Sequence, residues 1–291
     1  VVQASPDAAQ LLPGELLYQL SVTVPAADSV VLLRAETTLG DSESVPLHLR
    51  WEGGAPSAFT VPPRLYVLTV GVTQYEHTEL RLTYPAKDAR DVATAFARQS
   101  GLLYREVISR VLVDEGATKA AILDGLEWIQ RQTTVRDVAV VFFAGHGIND
   151  PSTGRYHFLP VDAELSSIKR TMLSQEELQG SLRSIAGKVL FFLDTCHSGN
   201  LLGEWASRGI NDLSPFISEL SASDSGVVVF AASTGRQTSK ESPSWGNGAF
   251  TKAVIEGLSG GASFVTGRPI TVNMLDLYIS ERVKQLTSGI Q

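Results

Sequence analysis

Three stretches of this chain are apolar at almost every position, and that pattern leaves few architectures open. Residues 65–72, 137–144 and 187–193 hardly alternate between apolar and polar side chains. A strand with one wet face alternates, whereas a strand covered on both faces does not. The three runs therefore read as strands of a parallel sheet with helices above and below it. The segments between them carry helical signals. Ala89, Val92, Ala93 and Phe96 share one face of a helix expected over 86–99. Thr118 is placed to cap a helix running to about Arg131. Ser174 opens another, with Glu177 three residues later completing a capping box. Further strands are expected over 107–113 and 226–232, and further helices over 247–258 and 271–286. Alternation of this kind gives an α/β fold, a mostly parallel sheet flanked by helices.

Residues 1–63 follow a different grammar. Short β-type runs (16–24, 30–36 and 45–51) are separated by Pro, Gly and Asp, and no helix of useful length fits. This is the pattern of a small all-β, sandwich-like module. Pro62-Pro63 stiffens the chain and marks a boundary, giving a β-rich module over 1–63 and an α/β domain over 64–291. A length of 291 residues suits two domains, and an apolar fraction of 43% is enough to build their cores. No run of about 18 apolar residues is present, so no membrane span and no membrane partner are expected. A net charge of −7 argues against a nucleic-acid ligand. Val1-Val2-Gln3 lacks both a Met and a signal-peptide pattern, so the chain reads as a piece of a longer, cytoplasmic protein.

Cys196 is the one cysteine, which excludes an internal disulfide and a multi-cysteine metal site. It follows the third apolar run, in Asp194-Thr195-Cys196-His197-Ser198-Gly199. The second run is followed by Gly145-His146-Gly147. Ligands of an open parallel sheet sit beyond the carboxyl ends of its strands. A thiol attacks a carbonyl as thiolate, and an imidazole beside it both lowers its pKa and later protonates the leaving amine. His146 and Cys196 are therefore the candidate dyad. Gly145 and Gly147 let backbone approach a substrate closely. The N–H groups of Gly147 and Cys196 are candidate oxyanion donors. His197 adjoins Cys196, but adjacent side chains diverge at a strand end, which gives it a supporting place. No glycine-rich phosphate or dinucleotide loop follows the first strand, so a cofactor-dependent transferase on the same kind of sheet lacks its fingerprint.

The run Ala144-Gly145-His146-Gly147, followed 50 residues on (146 to 196) by Asp194-Thr195-Cys196-His197-Ser198-Gly199, resembles the caspase–metacaspase superfamily. The cysteine motif is the metacaspase and bacterial caspase-like form rather than the Gln-Ala-Cys of caspases. Lys87-Asp88-Ala89 resembles the family's Asn-Asp-Ala helix start. Residues 156–162 resemble the hairpin after the catalytic His, and Gly248-Ala249-Phe250-Thr251 resembles the start of the small-subunit helix. The resemblance covers about 65–286 and leaves the β module outside. It implies a caspase-like fold and a cysteine endopeptidase held as a zymogen, with Cys196 as nucleophile and His146 as its partner. Its substrates would be proteins or peptides, in regulated signalling, defence or cell death. The order of domains resembles bacterial caspase-like domains at the end of longer repeat proteins, which implies regulatory domains or partner subunits outside this chain.

The resemblance also bears on specificity. Asp194 stands where metacaspases line the pocket for the residue before the scissile bond, and Asp88 matches the aspartate of the first helix. Two carboxylates in a partly desolvated pocket favour a guanidinium or ammonium, so cleavage after Arg or Lys is expected. Caspases cut after Asp and use arginines there. Arg81 falls near one such position, so an Asp-specific protease remains an alternative, as does a catalytically silent caspase-fold interaction module. For Asp88, a helix-start carboxylate favoured by the dipole is the structural alternative. Metacaspases often carry Ser where Ala144 stands and Cys where Pro85 stands. The acidic cluster that binds their activating calcium includes an Asp several residues after the Cys, where this chain reads Asn200-Leu201-Leu202-Gly203-Glu204. Asp162 by itself is a weak site for a hard cation, so no metal site and no calcium requirement are expected. Arg208-Gly209, in the Ser- and Gly-rich interval after Cys196, is a candidate self-cleavage site.

Overall fold

The computed structural model describes residues 28–32, 34–37, 40–43, 46–50, 61–150, 152–197, 213–221, 226–232, 241–263 and 269–289, with backbone alone at 34–37, 40–43 and 196–197. It falls into two compact units, Val1–Thr60 and Val61–Gln291. In the first unit β1 (Ser29–Val31), β2 (Arg34–Thr37), β3 (Gly40–Glu43) and β4 (Leu47–Leu49) form two antiparallel pairs, β1 with β4 and β2 with β3. The strand expected over 30–36 is divided, because Val30 faces His48 in one ladder and Arg34 faces Glu43 in the other. Residues 40–43 read Gly-Asp-Ser-Glu, so their partner and not their apolar content makes them a strand. The run expected over 16–24 lies outside the described residues.

The second unit runs β5 (Arg64–Gly71), α1 (Pro85–Ala97), β6 (Glu106–Val113), α2 (Lys119–Gln132), β7 (Val138–Asn149), β8 (Tyr156–Phe158), α3 (Ile168–Thr171), β9 (Leu173–Ser174), α4 (Gln175–Arg183), β10 (Lys188–His197), α5 (Ser214–Leu220), β11 (Val227–Ala231), β12 (Glu241–Ser242), β13 (Asn247–Gly248), α6 (Ala249–Glu256) and α7 (Val272–Thr287). Its central sheet has the order β11-β10-β7-β5-β6, with every neighbouring pair parallel. β8 joins the far end of β7 antiparallel, and β9 pairs with β8.

Successive side chains of a strand face opposite sides, and the sheet is buried accordingly. Val67, Val140 and Phe192 meet Val92 and Phe96 of α1, Phe250 of α6 and Ile279 of α7. Their strand neighbours Leu68, Val141 and Phe191 meet Leu126 of α2, Leu182 of α4 and Phe216 of α5. Each such side chain taken fully out of water contributes about 1.5–3 kcal/mol, which is why continuous apolar strands specify this two-sided arrangement. The helix starts follow the local signals. Thr118 Oγ1 accepts from Ala121 N–H at 3.2 Å. At α4, Ser174 Oγ accepts from Glu177 N–H at 3.2 Å, and Glu177 Oε2 accepts from Ser174 N–H at 2.8 Å. Among the described residues no helix is long and apolar enough to cross a membrane.

Two strands run further than their apolar stretches. β7 continues past Ala144 to Asn149, and β10 continues past Leu193 to His197. The two remain paired over this extension, and β7 gains β8 on its other side where β5 has ended. His146 and Cys196 therefore lie in the terminal rungs of the ladder and not in loops beyond it. The last helix pair also departs from expectation. Asn247-Gly248 is strand β13, paired with β12, and α6 begins only at Ala249.

Candidate active site

Cys196 and His146 are direct Cα partners in the parallel ladder of β10 and β7. Neighbouring strands lie about 4.8 Å apart, so residues from opposite ends of a 50-residue separation are brought side by side. Asp194 pairs with Ala144 and His197 with Gly147 in the same register. Lys188 N–H donates to Asp137 O at 3.3 Å, and ladder bonds on one side of a strand recur every second residue. By that register the N–H groups of Cys196 and Gly147 are directed into the seam between the two strands. Offering them to a substrate oxyanion requires the terminal rungs of the ladder to open.

His146 is buried and held by its ring and by its backbone. Its Nε2 lies 2.8 Å from Leu80 O. A carbonyl oxygen only accepts, so Nε2 carries the hydrogen and the lone pair of the neutral ring is on Nδ1. Its backbone N–H donates to Tyr75 Oη at 2.9 Å, and its carbonyl accepts from Leu159 N–H at 3.0 Å. The Tyr75 ring lies 5.1 Å from the imidazole, centroid to centroid. Gly145 has φ +149°, and a Cβ there would come within 2.8 Å of Tyr75 Oη, so this position has to be glycine. On the other side of the seam, Tyr156 Oη donates to Thr195 Oγ1 at 3.4 Å, and complete burial raises the Tyr156 phenol above its ordinary pKa.

The predicted pocket carboxylates come together. A Cβ at Gly248 would lie 3.1 Å from Asp194 Oδ2 and 3.3 Å from Asp88 Oδ2, so the two oxygens flank one point. Asp194 Oδ2 accepts from Thr251 Oγ1 at 2.7 Å. Asp88 accepts from Asn247 Nδ2 at 2.7 Å and from Gly248 N–H at 3.2 Å. Burial, and then the charge of Asp194, push the Asp88 carboxyl up to about 8 against those hydrogen bonds. A third acid, Glu241, belongs to the cluster. Burial raises its pKa, hydrogen bonds from Thr83 and Tyr84 oppose the rise, and Asp194 adds to it. Asp88 and Glu241 are thus satisfied by neutral dipoles in a place where a cation would be strongly favoured.

Glu241 carries no sequence signal, because it stands in a polar stretch and reaches the cluster only through the β12–β13 pair. Thr251 ends the small-subunit motif and Asn247 directly precedes it, and that motif is the one clue to them. Arg81 is exposed, and its Nε donates to Tyr75 O at 3.4 Å. Arg208 and residues 200–204 lie outside the described residues, as do the side chains of Cys196 and His197.

The profile of the peptidase C14 family, the caspase domain, matches residues 64–283. This chain belongs to the caspase family. No curated protein matches it significantly. Among solved structures it is similar to protein GSU0716 from Geobacter sulfurreducens, at 19% identity and TM-score 0.54, over 76% of this chain and 89% of that one. That likeness speaks for the fold. The caspase domain supports a cysteine peptidase, and a protease domain acts on protein substrates. The first compact unit lies outside the family match.

Proposed function

We propose that this caspase domain is a cysteine endopeptidase in which Cys196 is the nucleophile and His146 the acid–base partner, cleaving after Arg or Lys. The observation that carries the reading is the Cys196–His146 register at the carboxyl ends of β10 and β7, beside the buried pair Asp88 and Asp194. The thiol proton passes to Nδ1 of His146, whose other nitrogen is occupied by Leu80 O. The thiolate attacks the scissile carbonyl carbon, and the negative charge on its oxygen is met by the N–H groups of Gly147 and Cys196 once the rungs there open. The C–N bond breaks as the imidazolium returns its proton to the leaving amine. Water, deprotonated by His146, then hydrolyses the thioester. Asp88 and Asp194, with Glu241 beside them, hold the guanidinium or ammonium of the residue before the cut. No calcium is needed in this scheme, so EDTA leaves the rate unchanged. Arg208 is where the enzyme would cut its own chain, which an intact-mass comparison with Cys196→Ala checks. Regulated proteolysis in signalling, defence or cell death is the role such a device suits.

A cleavage profile on a peptide library, wild type beside Cys196→Ala, tests the reading. Wild type is expected to cut after Arg and Lys, and Cys196→Ala to lose on the order of 10³-fold or more in kcat. Turnover of Asp-ended peptides in place of Arg-ended ones would make the enzyme a caspase in specificity. If an arginyl chloromethylketone left Cys196 unlabelled and no peptide were cut, the domain would be an interaction module.

A further inference from the structure

We infer that Tyr75 is the positioning residue of the catalytic histidine: its hydroxyl takes the place of the missing strand beside His146. The inference rests on the cysteine-peptidase reading above. The ladder between β5 and β7 ends at Gly71 and Ala144, with Val72 N–H donating to Ala144 O at 3.1 Å. Along a strand, the backbone groups of residues two apart point to the same side. The next N–H of β7 to face the β5 side is therefore that of His146, where β5 has already turned away. A buried N–H left there without an acceptor would be costly.

Tyr75 supplies the acceptor. Its hydroxyl oxygen receives His146 N–H at 2.9 Å and donates its own hydrogen to Leu159 O at 3.2 Å, while Leu159 N–H returns to His146 O at 3.0 Å. His146, Tyr75 and Leu159 thus form a closed ring of three hydrogen bonds in which each backbone group of His146 is used. The Tyr75 ring lies against the imidazole, and the short turn that follows brings Leu80 O to Nε2. The loop that carries Tyr75 is itself anchored. Asp114, at an unfavourable φ of +46°, accepts from Thr73 N–H at 2.8 Å and from Gln74 N–H at 3.0 Å. Thr73 also ties this loop to α1, where Asp88 sits, by accepting from Ala86 N–H at 2.9 Å.

The test is Tyr75→Phe, which keeps the ring and removes the hydroxyl, beside Tyr66→Phe as a second buried tyrosine remote from the site. Three measurements are made on each: steady-state kinetics (kcat and KM) on an Arg-ended peptide, the pH dependence of Cys196 alkylation by iodoacetamide, and thermal melting (Tm). Tyr75→Phe is expected to lower kcat about tenfold or more with KM within about twofold. It is also expected to move the alkylation midpoint toward the ordinary thiol value of about 8.5. Tyr66→Phe moves Tm and neither of the others. Should Tyr75→Phe not fold, Asp114→Gly, which suits the φ of +46° and releases Thr73 N–H and Gln74 N–H so that the loop carrying Tyr75 loosens, is expected to show the same signature in weaker form. Wild-type kcat and alkylation profile in a folded Tyr75→Phe protein would overturn the inference. A wild type that cuts no peptide, with alkylation indifferent to His146→Ala, would instead remove the peptidase reading beneath it.

Discussion

At the scale of single residues, Asp88 carries the most information, because burial and a neighbouring carboxylate act on it in the same direction. With Asp194 as its charged neighbour, its carboxyl, raised to about 8, holds a proton at neutral pH. A guanidinium entering the pocket favours the carboxylate and releases that proton. Affinity for a cation should then tighten as pH rises toward 8 and level off above it, by at most about tenfold per pH unit. Benzamidine binds as the cation without engaging the thiol, so its inhibition constant reports this directly. Asp88→Asn is expected to weaken benzamidine and flatten its pH dependence, and a flat wild-type profile between pH 6 and 8 sinks the claim. The same raised pKa acts on folding. The native state keeps a proton that the unfolded chain releases between about pH 4 and 8, so this group makes stability fall as pH rises through that window. Gly248, buried against both carboxylates, tests the pair directly. Its φ of −62° suits any residue, but a Cβ there lies 3.1 Å from Asp194 Oδ2 and 3.3 Å from Asp88 Oδ2, so in Gly248→Ala both carboxylates have to shift. It sets a methyl between Asp88 and Asp194, which should raise KM for Arg-ended peptides roughly tenfold while kcat changes less.

At the scale of elements, α5 is the piece that ties the chain after the cysteine motif back to the sheet. Phe216 stacks on Tyr156 with centroids 5.2 Å apart, and meets Phe191 edge-on at 6.5 Å. Glu219, one helical turn on, accepts from Gln175 at 3.0 Å and from Gln179 at 2.9 Å. Because Tyr156 in turn reaches Thr195, a loose α5 would be felt beside Cys196. Phe216→Ala is expected to cost about 3–5 kcal/mol of stability by chemical denaturation, and a loss below about 1 kcal/mol would mean that the site relaxes around the void. The elements also divide into those the sequence reveals and those it does not. The continuous apolar runs and the Ser174–Glu177 box are local signals, and strands and cap stand where they point. The extension of β7 and β10, the β12–β13 pair and the division of residues 30–36 were not legible, because each depends on a partner distant in sequence. The site divides in the same way. His146, Cys196, Asp88 and Asp194 sit in motifs, whereas Glu241 reaches the acidic cluster only through pairing, and Tyr75 reaches His146 through a hydroxyl that no spacing announces.

At the scale of the whole molecule, the caspase match begins at residue 64, and the second compact unit begins at Val61. Every side chain given a part above, from Tyr75 to Thr251, belongs to that unit, and so do both apolar layers on the central sheet. A layer of helices on each face completes the burial that such a sheet needs. The physical expectation is therefore that residues 61–291 fold and act by themselves, with the preceding segment serving regulation or attachment. A protein comprising 61–291 should keep kcat and KM on short Arg-ended peptides within about twofold of the full chain, and should melt in one cooperative transition. Short peptides suit the comparison, because a tetrapeptide is too small to bring the first unit into the measurement. A 61–291 protein that folds, binds benzamidine with unchanged affinity and yet turns over slowly would show that the first unit acts on the Cys196–His146 seam itself, and the independence argued here would be wrong.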